Sequence, residues 1–347
     1  MRLASSVLCV ALLGAGVGAS GGHLDATHLF AAIGITDAEQ RESVAAGTAV
    51  VIVVPSQGRD LAVAGVARTT AGGRRLAAWS RAVEHIHPRQ YTRAIGRFSN
   101  PPQLSDLAAL TLDDRDVDDL RRCRPGDCAV KLAGGEMAAI TAEAEAAGDR
   151  WKPAVQLAFK RAIVERARRY LQTGLAGTPA YEDHETAVSP SDEFAAIAHS
   201  FVVEPLATAG VLGYFESYPG GSAADVESFL YWSKETLGAG KPIVSVTHVA
   251  IFRCPTPAGP GTIVAARQVF ASHYMHASLS MTVALDTPGV PGYLLYMRRV
   301  RSDAFEGFFG GLVRRIAERR IRSDAPGVLD ALRRRLEGGE PPVAHSR

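Results

Sequence analysis

The sequence predicts an α+β protein: an antiparallel sheet, a block of helices set into it, and a long helix at the end. Three observations carry that expectation. β-branched and aromatic runs gather in two places, near residues 48–67 and 228–302. Between them, residues 101–218 hold helical patterns and almost no strand signal. After the last strand run, apolar residues recur at helical spacing among many arginines. Strands and helices segregated in this way favour α+β over an alternating α/β order. The 347 residues are 47% hydrophobic and 21% charged, which suits a folded chain with one large core or two modest ones. Lys+Arg 38 against Asp+Glu 36 leaves +2. That balance gives no electrostatic mandate for nucleic acid, and no nucleic-acid partner is expected.

Residues 1–19 read as a signal peptide. Arg2 is the basic start, Val7 to Val17 the apolar stretch, and Val17-Gly18-Ala19 a small-residue cleavage site. The stretch is too short to span a bilayer. The expectation is export, to a periplasm or beyond. Residues 20–100 should hold two short helices, a hairpin and a longer helix. Thr36–Glu39 is a capping box and Gly47 a helix stop. Thr48–Val54 and Leu61–Ala67 read as paired strands around Pro55–Gly58. A helix is expected from Arg74 to Ile86, with Leu76, Trp79, Val83 and Ile86 on one face.

Residues 101–218 form the expected helical insertion. Thr111–Asp114 is a second capping box, opening an acidic helix to Arg122. Met137–Ala147 is rich in Ala and Glu, and Pro153 opens a helix to Leu171. Glu193–His199 and Pro205–Tyr214 read as short helices. Residues 219–337 should then supply five strands, Phe229–Trp232, Ile243–Phe252, Gly261–Tyr274, Ala277–Asp286 and Tyr293–Ser302. A helix follows from Phe308 to Arg322, which Pro326 should break or restart. Residues 338–347 read as a loose tail.

The segments Ser245–Val249, Gln268–Tyr274, Arg299–Asp303 and Phe308–Val313 resemble strands and the start of the last helix in the START-like superfamily (polyketide cyclase/START lipid-transfer). The resemblance is carried best from Trp232 onward. It implies the helix-grip fold, a curved antiparallel sheet gripping a long C-terminal helix around a cavity, here with a large helical insertion. It implies a lipid or other apolar small molecule as ligand. Tyr231, Trp232, His248, Gln268, Phe270, Tyr274, Met281 and Tyr296 are the candidate ligand residues. The inner face is expected to offer Leu279, Met281, Val283, Leu295 and Met297. Leu120–Cys128 is similar to a stretch in secreted bacterial proteins of unknown function.

Standard catalytic strings are absent: no Gly-x-Ser-x-Gly, no phosphate loop, no His-Glu-x-x-His. Candidate catalytic groups are His248, His273 and Tyr274, with His276 close by. Strand alternation puts Arg267, Val269, Ala271 and His273 on one face and Gln268, Phe270, Ser272 and Tyr274 on the other. Neighbouring strands are expected to bring His248 near His273 or Tyr274. Imidazoles act as acid, base or zinc ligand, although polar residues bonded within a sheet are the commoner meaning. No metal and no cofactor is assigned. Asp114-x-Asp116-x-Asp118 imitates a calcium loop, but Asp119 and Pro125 break the pattern. His85 and His87 end a helix before Pro88, where a cation meets the negative end of the dipole. Cys123 and Cys128 flank the turn residues Arg-Pro-Gly-Asp, so a disulfide is expected; a metal site would need more ligands. Cys254 is expected to be a buried free thiol.

From Arg298 to Arg347 there are twelve Arg, no Lys and seven Asp/Glu. Arg314, Arg315, Arg319, Arg320 and Arg322 surround the apolar stripe of the final helix, which suits an anionic membrane surface; a solvated outer face is the plainer alternative. The favoured reading is an exported carrier of a lipid or other apolar small molecule. The alternatives are an envelope protein that binds partners through residues 101–218, and an enzyme using His248, His273 and Tyr274.

Overall fold

The computed structural model describes residues 26–342, apart from 202, 204–205, 207, 222–225, 237–239, 257–258 and 287–290. The expected signal peptide lies outside the described residues, as does the side chain of Cys254. Two short helices, α1 (Ala26–Ala32) and α2 (Ala38–Ala45), precede the hairpin β1 (Val50–Val54) and β2 (Asp60–Thr69). The cap of α2 sits one residue later than expected. Asp37, not Thr36, accepts the Gln40 amide at 3.1 Å. The helix expected over 74–86 is two helices, α3 (Gly73–Arg81) and α4 (Val83–Ile86), separated at Ala82 with ψ 56°. Next comes β3 (Thr92–Arg97), a strand without an apolar run to announce it. Gly96 is required there: a Cβ would lie 2.9 Å from Trp232 Nε1.

The insertion is helical, as expected: α5 (Asp114–Leu120), α6 (Gly134–Ala146), α7 (Trp151–Thr173), α8 (Pro190–Ala198) and α9 (Thr208–Ser217). The second capping box does not form. Asp113 is the N-cap of α5 without a side-chain cap bond, because its carboxylate accepts from Lys234 at 2.5 Å. The Cys123–Cys128 disulfide is present, and the turn inside it uses the left-handed φ of Gly126, +84°.

Five strands follow: β4 (Glu227–Glu235), β5 (Ile243–Thr256), β6 (Gly259–Ala271), β7 (Met275–Leu285) and β8 (Gly292–Ser302). All eight strands form one open antiparallel sheet in the order β1-β2-β8-β7-β6-β5-β4-β3. The final helix, α10 (Gly310–Glu337), continues through Pro326 instead of breaking there. Buried Leu329 and Leu336 beyond the proline hold the helix to the rest of the fold.

Strand alternation gives the sheet two covered faces. On one, Ala64, Val66, Ile263, Ala265, Leu279 and Leu295 join Phe159, Ile163, Phe194 and Phe215 of the insertion in a single core. On the other, Ala67, Ala284 and Leu294 meet Leu76 and Trp79 of α3 and Leu329 and Leu336 of α10. Phe229, Val249 and Ile251 meet Ala77 and Val83 on the same side. This corrects one expectation. Leu279, Met281, Val283, Leu295 and Met297 do not line the space beside α10; they are core beneath the insertion. Burying side chains of this size stabilises by about 1.5–3 kcal/mol each. No described helix is long and apolar enough to cross a membrane.

Candidate ligand site between the sheet and the last helix

The polar residues of the sheet's second face form a strip beside the apolar clusters that α10, α3 and α4 cover. The odd residues of β4 point there: Tyr231, Ser233 and Glu235. β5 adds Ser245 and Thr247, β6 adds Gln268, β7 adds Ser278 and Ser280, and β8 adds Tyr296 and Arg298. Ser233 and Ser245 share a hydrogen bond at 3.0 Å. His87, just after α4, donates to Glu235 at 3.3 Å and sets its ring edge-on to Tyr231, centroids 5.2 Å apart. Above, Arg335 of α10 donates to the Ile86 carbonyl at 2.8 Å, and Trp79 Nε1 donates to the Gly339 carbonyl at 3.0 Å. These bonds tie the end of α10 to α3 and α4 at one end of this polar strip. Ile86, Leu329, Leu332 and Tyr296 belong to one apolar cluster at that end.

Arg298 is half-buried and forms no salt bridge among the described residues. Its Nε donates to Ser278 Oγ at 3.3 Å, and Nη2 faces the Met275 sulfur at 3.8 Å. Burial opposes its charge; Tyr296, Glu235 and Tyr231 favour it, and the balance strengthens its hold on the proton. Burial pushes the Tyr231 hydroxyl far up, helped by the Glu235 charge and opposed by Thr247 and Arg298. Burial would also raise Glu235. The hydrogen bond and charge of His87, with Arg298 and Ser233, outweigh it and leave the carboxyl below its usual range. The site therefore holds a carboxylate committed to His87, a neutral phenol and a guanidinium that has neutral hydrogen-bond partners and no salt bridge among the described residues. That set can bind an anion beside apolar walls.

The residues expected from sequence divide between the two faces. Tyr231, Gln268 and Tyr296 belong to the polar strip on the second face. Trp232, His248, Phe270 and Met281 lie beneath the insertion. Trp232 donates to the Asp106 carbonyl at 2.8 Å. Phe270 changes face because a bulge opposite Val246/Thr247 adds Val269 to the strand. Tyr274 sits in the β6–β7 turn at φ 60°, its hydroxyl accepting from the Lys241 amide at 2.9 Å.

The expected histidine group is not assembled. His248 packs among Tyr170, Tyr214, Phe215 and Tyr218. His273 faces Asp116 at 3.3 Å, and His276 lies 3.5 Å from both Glu193 and Asp303. The calcium-like carboxylates are helical: Asp114 and Asp118 face Lys152, and Asp116 faces Lys241. One further group, Asp183, His184 and Asp303, has metal-like spacing. Lys131 Nζ already lies 3.3 and 2.5 Å from its two carboxylates and supplies their counter-charge.

Three members of this strip were not among the candidate ligand residues: His87, Glu235 and Arg298. The aromatics and ion pair of Tyr231–Glu235 suit either a cavity mouth or core rings beside a surface pair, but neighbouring strand residues point to opposite faces. Lys234 goes to Asp113 and Glu235 to His87. Arg298 shares its face with Tyr296, two residues away, and that alternation was the available signal. Comparison of the chain with models of known families, with curated proteins and with solved structures finds no match.

Proposed function

We propose that this is an exported binding protein for an amphiphilic small molecule with an acidic head. The head would sit on Arg298, with Tyr231 and Tyr296 beside it. The apolar part would run along Ile86, Leu329 and Leu332. The observation that carries this reading is the half-buried Arg298 guanidinium, which has no carboxylate within salt-bridge distance among the described residues. A guanidinium so placed gains most from an anion supplied by a ligand, because desolvation has already strengthened the charge-assisted bond. The antiparallel sheet followed by a long final helix supports the helix-grip carrier that the START-like resemblance implies.

The test uses a fluorescent fatty acid and its methyl ester with the folded protein. Saturable binding that prefers the acid is expected, with a loss of about tenfold or more for the acid in Arg298→Met, since bonds to charged groups contribute about 1.5–3 kcal/mol. Failure of the folded protein to bind either probe overturns the reading. So does equal affinity of the wild type and Arg298→Met for the acid.

A further inference from the structure

The start of α10 exposes apolar side chains that a folded protein normally covers. Phe308 is 96% exposed, Phe309 66%, Ile316 51% and Leu312 49%. Phe308 and Phe309 also stack edge-on against each other, centroids 5.0 Å apart, and so present one aromatic tip. At about 100° per residue, Phe309, Leu312, Val313, Ile316 and Arg320 fall within an arc of about 100°. Arg314 and Glu318 fall on the opposite side and are occupied inward. Arg314 donates to the Gly58 and Asp60 carbonyls of the β1–β2 turn and lies 3.8 Å from Glu318. Beside Glu318, the helix stands off the end of β1 and leaves an open cleft of about 410 Å³ lined by Val53, Pro55 and Gln57. The exposed arc is therefore the outer side of the helix, pointing away from the sheet.

The charges on this stretch all have one sign where they are free. Arg315, Arg319 and Arg320 are exposed and form no ion pair among the described residues. Arg322 shares Glu318 with Arg314. Glu306, the acid before the tip, is engaged by Arg59 at 3.3 Å. An aromatic tip followed within three turns by unpaired arginines is complementary to an interface that is apolar inside and anionic at its rim. A second copy of the chain fits poorly, because packing this face on itself would bring the arginines together.

We propose that the first turns of α10 dock the protein on an anionic bilayer. Phe308 and Phe309 enter the acyl boundary, Leu312 and Ile316 lie at its edge, and Arg315, Arg319 and Arg320 meet the headgroups. This narrows the sequence expectation: Arg314 and Arg322 are committed within the protein and are not headgroup contacts. The proposal is independent of the Arg298 site, which lies on the opposite side of the helix.

The experiment is co-sedimentation of the full chain with vesicles of phosphatidylcholine alone and of phosphatidylcholine with phosphatidylglycerol. Binding to the anionic vesicles that weakens with added salt is expected. Phe308→Ser with Phe309→Ser should reduce the partition about tenfold or more, with an unchanged melting temperature because both rings are exposed. Arg315→Gln with Arg319→Gln and Arg320→Gln should remove the preference for phosphatidylglycerol. Three results would overturn the proposal: no binding to anionic vesicles at low salt, unchanged binding by the Phe308/Phe309 variant, or a dimer in solution that the same variant dissolves.

Discussion

His248 is 1% exposed, and its Nδ1 lies 2.6 Å from the Tyr170 hydroxyl. Arg267 donates to the same tyrosine oxygen, so the hydroxyl hydrogen goes to Nδ1 and the proton of the neutral ring sits on Nε2. Nε2 has no partner in the buried cluster. Burial first, and then the Arg267 charge, hold this imidazole well below its ordinary value. Below about pH 6.5 the unfolded chain therefore takes up a proton that the folded chain does not. His248 supports full stability above that pH and withdraws up to about 1.4 kcal/mol per pH unit below it. His276 works the other way. Burial lowers it, but Asp303 and Glu193 outweigh burial and raise it, so its contribution is complete at low pH and fades as pH rises. In His248→Phe the urea midpoint should fall less steeply between pH 6.5 and 5 than in the wild type. An unchanged slope would remove His248 from the acid response. At this scale the sequence singled out His248 as a candidate ligand or catalytic residue, with a hydrogen-bonded sheet residue as the commoner meaning, and the structure places it in a bond to Tyr170. Histidine among strand residues was visible; the aromatic shell from α7 and α9 was not, because those contacts join residues 30 or more positions apart.

Helix α8 is attached to the sheet by charge as well as by Phe194 and Ile197. Glu193 accepts from Arg59 at 2.9 Å and from Arg301 at 2.7 Å, and lies 3.5 Å from His276. Burial would raise its carboxyl; His276, Arg301 and Arg59 overcome that and hold it down to about 2. Beside it, Lys131 is 2% exposed and bridges Asp183 of the insertion to Asp303 after β8. Removing one member of a buried set leaves the others charged and unpaired, which costs about 3–5 kcal/mol. Lys131→Met should lower the unfolding free energy by that order at pH 7. A urea titration giving less than about 1 kcal/mol would mean that water already screens the cluster. Elements were legible where their own residues decided them: β1 and β2 as a β-branched run and its partner around a turn, α7 and β7 by their periodicity. β3 was not, since Arg93, Gly96 and Arg97 carry no apolar alternation and the strand exists by pairing with β4. Nor was the continuity of α10, because contacts from beyond Pro326 hold a helix that the local rule would end.

At the scale of the molecule, residues 101–218 lie in the sequence as an insertion but share a core with the rest. Phe159 packs near Phe270 of β6, centroids 6.4 Å apart, and Tyr170 of α7 meets His248 of β5. The charged contacts of Lys131 and Glu193 cross the same boundary. If the insertion left, the buried row Leu279, Met281 and Val283 would face water with nothing of the remaining fold to cover it. The insertion and the sheet are therefore expected to unfold together. Two variants would report separately on each side, one retaining only Trp151 at the start of α7 and the other only Trp79 in α3. Their urea midpoints should coincide with each other and with the loss of helical circular dichroism. A midpoint for Trp151 well below that for Trp79 would mean that the insertion opens on its own, as a partner-binding module would need to. Coincidence would instead make the insertion the rigid back of the sheet. Ligand exchange would then be left to the opposite face, where α10 is held at its two ends by the β1–β2 turn and by α3.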